Sequence, residues 1–189
     1  MVRHHRARVY LPRFPIRPRS RKEDGQKHQA LLQRLRDREP WHQDNSRLNL
    51  VKELQARKIQ IDGVGLESHF KVGSTPSVAA QVAAKKGFLD LGVDVAITEL
   101  DVRFVAAPYY TAAGEATQAQ NYYDSVASCM QVGRRCRGIT VWDFDDTYSW
   151  VPSAFAGQGG ADIYNETLQR KPAYYAIAEA ITGGPCTVC

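Results

Sequence analysis

From about residue 46 onward the apolar positions recur with a regular beat, and before it they do not. Leu48, Val51 and Leu54 follow at helical spacing behind Ser46, a residue type that caps helices, and the pattern runs to Lys58. Ile59-Gln60-Ile61-Asp62-Gly63-Val64-Gly65-Leu66 then reads as a strand. Thr75-Pro76 opens a second helix whose face holds Val78, Val82 and Leu89, and it stops before Gly92. Gly92 to Thr98 is short and rich in β-branched residues, as a buried parallel strand reads. A third helix over about 115–132 aligns Ala119, Tyr122, Val126 and Cys129. Residues 138–144 form the next strand, and Pro172 opens a last helix carrying Ala173, Ile177 and Ile181. The order αβαβαβα predicts right-handed crossovers and a parallel sheet.

Each expected strand ends in polar residues. The first is followed by Glu67-Ser68-His69-Phe70 and the second by Glu99-Leu100-Asp101, while the third leads to Trp142 with Asp143, Asp145 and Asp146 beyond it. Taken alone, Glu99 reads as a solvated or ion-paired loop acid, His69 as a satisfied core histidine and Trp142 as core. Three successive strand ends of this kind predict a polar pocket at one rim of a barrel.

Charge divides the chain near residue 45. Residues 1–48 hold 13 Lys/Arg against 5 Asp/Glu, a net +8; with +5 over all 189 residues, the remainder carries −3. The first 45 residues have scattered Pro and Arg, four of the five histidines and little periodicity, so a disordered basic arm is expected. A solvated tail is preferred there to a nucleic-acid binder, since no aromatic interleaving or binding module is present. The arm also looks foreign to the rest of the chain, as an erroneous gene model would. No apolar run approaches a membrane span, and Val9-Tyr10-Leu11 is too short for the core of a signal peptide.

The stretches Asp62-Gly63-Val64-Gly65-Leu66-Glu67-Ser68-His69-Phe70, Val95-Ala96-Ile97-Thr98-Glu99-Leu100-Asp101-Val102, Gly138-Ile139-Thr140-Val141-Trp142 with Tyr148-Ser149-Trp150-Val151-Pro152, and Lys171-Pro172-Ala173-Tyr174 together resemble glycoside hydrolase family 10, the endo-β-1,4-xylanases. The resemblance covers about residues 46–183, leaving 1–45 as the arm and 184–189 as a cysteine-containing tail. It implies the C-terminal portion, about three βα units, of a TIM (β/α)8 barrel, and retaining hydrolysis of internal β-1,4-xylosidic bonds in xylan. It also implies secretion, no cofactor, no metal and no membrane partner.

Carried over by residue, the resemblance makes Glu99 the nucleophile and His69 the imidazole that orients it; a hydrogen-bond donor favours the charged form of a carboxylate. Trp142 and Trp150 become the sugar platform, Glu67 a substrate-binding residue and Asp101 a support behind them. Glu67 stands where the family usually has glutamine, which predicts like-charge repulsion with Glu99. Asp143, Asp145 and Asp146 make the third rim more acidic than expected. Retaining hydrolysis needs a second carboxyl about 5–5.5 Å from the first. The family's acid/base glutamate follows an asparagine, and the one Asn-Glu pair here, Asn165-Glu166, lies after the last strand and is rejected. The acid/base half of the site is therefore expected to be missing, with an inactive or merely xylan-binding remnant as the alternative. Whether another chain supplies the missing strands stays open.

Cys129 and Cys136 flank the turn between the third helix and third strand, where the resemblance implies a disulfide; a reduced buried pair is the alternative for a cytosolic protein. Cys186-Thr187-Val188-Cys189 reads as a truncated linker or loose tail, and one such pair is too little for zinc. No metal-ligand cluster is evident in the sequence. With three strands, an open barrel face including Val64, Leu66, Val95, Ile97 and Val141 is expected, and with it marginal folding of the isolated chain.

Overall fold

The computed structural model describes residues 45–189 and the backbone of residues 31–33. In chain order the elements are β1 (Leu31–Gln33), α1 (Asn45–Ala56), β2 (Gly63–Leu66), β3 (His69–Lys71), α2 (Val78–Asp90), β4 (Asp94–Arg103), α3 (Ala112–Gln131), β5 (Cys136–Val141), α4 (Val151–Ala154) and α5 (Pro172–Thr182). The arm expected over residues 1–45 lies outside the described residues apart from β1. There the backbone pairs in parallel with the edge of β2, Leu31 opposite Gly63.

β2 and β5 flank β4 in parallel, the arrangement that helical crossovers require. Local chemistry sets the helix ends. Ser77 Oγ accepts from the Ala80 N–H at the start of α2, and Thr111 Oγ1 does the same for Gly114 at the start of α3, so α3 begins three residues ahead of the expected Glu115. Pro172 occupies the first turn of α5, and Gly183 ends it with φ 75°. β2 begins four residues later than the expected strand, although the Asp62 carbonyl just before it already accepts from the Asp94 N–H at the start of β4.

Two differences shape the site. The strand carrying Glu99 does not stop at Thr98 but continues to Arg103. Its last three residues pair with β3, a short strand that periodicity did not reveal, His69 opposite Asp101. Between Leu66 and His69 the chain advances three residues, while between their partners Ile97 and Asp101 it advances four. β4 therefore carries one extra residue at Thr98–Leu100, and the other side of the jog is Ser68 at φ 62°. Glu67 and Glu99 both sit at this interruption.

The other difference is the parity of the sheet faces. Val64, Leu66, Val95, Ile97 and Val141 are all buried. Val64, Leu66 and Val95 pack with Val51, Phe88 and Val93 around α1 and α2, whereas Ile97 and Val141 pack with Tyr122, Val126 and Ala173 around α3 and α5. Successive side chains of a strand point to opposite faces. The β-branched set is the one that meets the helices, and half-buried Ala96 and Thr98 take the other face. A Cβ on Gly65 would lie 2.8 Å from Thr98 Cγ2, so this position accepts only glycine without a shift of the threonine.

Cys129 and Cys136 are joined in a disulfide that ties the end of α3 to the start of β5. Cys186 and Cys189 form a second one, and the tail is docked rather than loose: Tyr123 donates to the Gly184 carbonyl, and Glu179 accepts from the Thr187 N–H at 2.9 Å. The short tail follows the Gly183 turn back along α5, which brings these partners within reach. Among the described residues no helix is long and apolar enough to cross a membrane.

Candidate active site

The extra residue in β4 separates two carboxylates that regular pleating would place differently. Glu99 remains partly accessible, with 15% of its side chain exposed, while Asp101 is fully buried. β3 places His69 between them. Its Nδ1 lies 2.7 Å from Asp101 Oδ2 and its Nε2 lies 3.1 Å from Glu99 Oε2. The doubly protonated ring is the state in which both nitrogens donate. Burial pulls the His69 pKa down, but the hydrogen bonds and charges of Asp101 and Glu99 more than offset this and hold it above its ordinary value.

Asp101 Oδ2 also accepts from Trp150 Nε1 at 2.7 Å, so one oxygen anchors both the imidazole and an indole. The other, Oδ1, has no hydrogen-bond partner among the described residues. Trp150 stacks at a tilt against His69 with ring centroids 4.8 Å apart, and Trp142 stands edge-on to the same ring at 6.4 Å. The Trp142 N–H donates to Leu100 O, which fixes the end of β5 beside the irregular part of β4.

The three aspartates expected at the third rim shape the loop between β5 and α4. Asp143, at φ 59°, accepts from the Trp150 N–H. Asp145 Oδ1 accepts from the Thr147 N–H, and Asp146 accepts from Lys171 Nζ at 3.0 Å and from Tyr110 Oη. Asp145 and Asp146 are buried, so acidity there serves packing more than an open rim. Glu166 is exposed in the turn that Asn165 organises before α5.

Sequence reasoning found Glu67, His69, Glu99, Asp101, Trp142 and Trp150, and the fold brings all six to one place. It missed two things. Glu67, His69 and Glu99 each offer a ligand atom within 4.8 Å of the others, a metal-capable grouping that linear spacing hides because the residues come from two strands. Asp162 is buried, and burial together with the charges of Asp146, Asp101 and Asp143 pushes its carboxyl well above the usual range. Its only signal in sequence was an acid in an apolar run.

A parallel β/α sheet with carboxylates, an imidazole and indole faces gathered at one strand-end rim defines a class of fold, the β/α barrels that carry their sites at that rim. The chain belongs to glycosyl hydrolase family 10, whose family model matches residues 35–180. It is 47% identical over 135 residues to endo-1,4-beta-xylanase D of Talaromyces funiculosus, a match covering 71% of this chain and 32% of that protein. Among solved structures, an endo-1,4-beta-xylanase of Penicillium canescens is 64% identical with a TM-score of 0.74, covering 75% of this chain and 42% of that one. A GH10 xylanase from Bispora sp. MEY-1, solved with xylobiose, is 54% identical with a TM-score of 0.68, covering 72% and 42%. The chain thus spans about a third of the length of the curated relatives it matches.

Proposed function

We propose that this chain carries the nucleophile side of a retaining endo-β-1,4-xylanase site. The carrying observation is the hydrogen-bonded series Glu99–His69–Asp101–Trp150. Glu99 attacks the anomeric carbon of a xylosyl unit, the bond to the leaving oxygen breaks, and water later releases the glycosyl-enzyme. His69 holds the attacking carboxylate in place, and Asp101 holds His69. Trp142 and Trp150 present flat apolar faces to the C–H surfaces of the pyranose rings, and Glu67 lies where a carboxylate can accept from a sugar hydroxyl. Xylan and xylo-oligosaccharides are the substrates. Disulfides persist outside the cytosol, which supports a secreted protein. Among the described residues no Asn-Glu pair stands at a strand end, so a substrate that leaves without help from an acid isolates the part played by Glu99.

The test is an aryl β-xylobioside with a good leaving group, which needs little proton donation. The expected result is release of the phenol together with a xylobiosyl adduct, seen by intact mass and mapped to the peptide holding Glu99. Glu99→Gln should give neither. A folded chain that never acquires the adduct would overturn the proposal in favour of a remnant that only binds xylan.

A further inference from the structure

We propose that Arg103 is a positioning residue for the sugar platform: it holds the segment over residues 150–158 so that Trp150 stays seated against His69 and Asp101. The inference rests on the proposed function, in which Trp150 receives a pyranose ring.

Arg103 closes β4 two residues beyond Asp101, and period-two alternation puts both side chains on one face of the strand. It is only 7% exposed, so its guanidinium must find partners inside the protein. Nε donates to Gln158 Oε1 at 2.8 Å, and Nη1 donates to the Phe70 carbonyl at 3.4 Å. Cζ lies over the Phe155 ring, 4.2 Å from its centroid, a cation–π contact. Phe155 and Gln158 meet Arg103 together because the Gln158 N–H donates to the Phe155 carbonyl in the turn after α4.

Phe155 in turn stands edge-on to Trp150, with ring centroids 5.6 Å apart. Trp150 is thereby held twice, at Nε1 by Asp101 at 2.7 Å and on its ring by Phe155. Both holds trace to residues 101–103 of β4. The next residue, Phe104, exchanges backbone hydrogen bonds with Gly159 at 2.9 and 3.2 Å, so the segment is fixed at both ends and Arg103 grips its middle. Burial pulls the Arg103 pKa down and the charge of Asp101 opposes this, so each charge supports the other. A lysine at this position would keep the charge but lose the planar fork that bonds Gln158 while stacking on Phe155. Loosening the segment affects sugar orientation first, since the imidazole partner of Glu99 comes from β3.

The experiment follows the Trp150 indole N–H by 1H–15N NMR of the full chain, the line being identified by its loss in Trp150→Phe. Arg103→Lys and Phe155→Leu should each move this line and weaken xylobiose binding, titrated on the same spectra, by about fivefold, the scale of one cation–π contact. With the aryl xylobioside, the half-saturating concentration should rise more than the limiting rate of adduct formation falls. Gln158→Ala removes one hydrogen bond from a half-buried turn and should move the line in the same direction, which keeps the test open if either of the other variants unfolds. An unmoved indole line in a folded variant, or a loss carried entirely by the limiting rate, overturns the inference. Adduct formation with an unmoved line sinks this inference alone, whereas a moved line and weakened xylobiose binding in a chain that never forms the adduct sink the proposed function alone.

Discussion

Asp101 is where most of the site's order resides. One of its oxygens takes the His69 Nδ1–H and the Trp150 Nε1–H, so its charge sets both the ring orientation and the proton affinity of His69. Asp101→Asn keeps the shape and removes the charge. The His69 pKa is then expected to fall, because burial, which lowers it, loses its main opponent. Nitrogen-detected NMR of the imidazole checks this, and an unmoved titration would mean that Glu99 alone controls the ring. Asp162 makes the opposite kind of prediction. Its carboxyl is raised in the folded chain, so its protonated form stabilises the fold below the unfolded value near 3.8, and that contribution is lost as pH rises. Asp162→Asn mimics the neutral form. It should unfold at higher urea concentration than the parent at pH 7 and match it near pH 3, and equal midpoints at both would refute the assignment.

Between elements, the seam of α2 and α3 holds a second buried charge. Lys85 Nζ donates to Ser128 Oγ at 2.8 Å, and Ser128 in turn donates to Gln81. No carboxylate is bonded to the amine among these contacts, and burial lowers its pKa from 10.5 to about 7. The unfolded chain binds this proton up to its ordinary value, so stability rises with pH between about 7 and 10.5 and the cost is constant below. Lys85→Met should therefore stabilise the chain by a few kcal/mol at pH 7 and flatten that rise. A loss of stability at pH 7 would show instead that the hydrogen bond outweighs desolvation. At the other end of α3, the Cys129–Cys136 disulfide closes a loop of seven residues' separation. Chain-entropy arguments put its contribution at roughly 2–3 kcal/mol. Replacing both cysteines with alanine should lower the unfolding free energy by about that amount, and a change near zero would mean that the turn over 133–135 is already ordered in the unfolded chain.

At the scale of the molecule, the parity of β2, β4 and β5 changes the expected behaviour of the chain. An exposed Val/Leu/Ile face argued for marginal folding, but those five side chains are under the helices in two packed clusters. With the apolar set buried, a cooperative thermal transition above about 45 °C is expected by circular dichroism, within the usual range of domains. A broad, non-cooperative melt would show that the polar inner face and the unpaired edge of the sheet dominate. That edge is real among the described residues, since β5 pairs with β4 alone.

The amino-acid sequence by itself determined the order of helices and strands, the parallel sheet and the six rim residues. Periodicity and strand-end polarity are local properties, written every two or three to four residues. The resemblance of four motifs did the rest for Glu99, His69, Trp142 and Trp150. Other features were set by contacts between segments far apart in the chain. The continuation of β4 past Glu99 depends on β3 being there to pair with it, and β3 exists because Ser68 turns the chain. Which strand face meets the helices is a question of a single-residue register, invisible in a run where both neighbours are small or apolar. The docked C-terminal tail needs Tyr123 from α3 and Glu179 from α5, and the approach of Glu67 to His69 and Glu99 needs two strands side by side. Local patterning writes the elements, while the long-range pairing of β2, β3 and β4 decides what their side chains face.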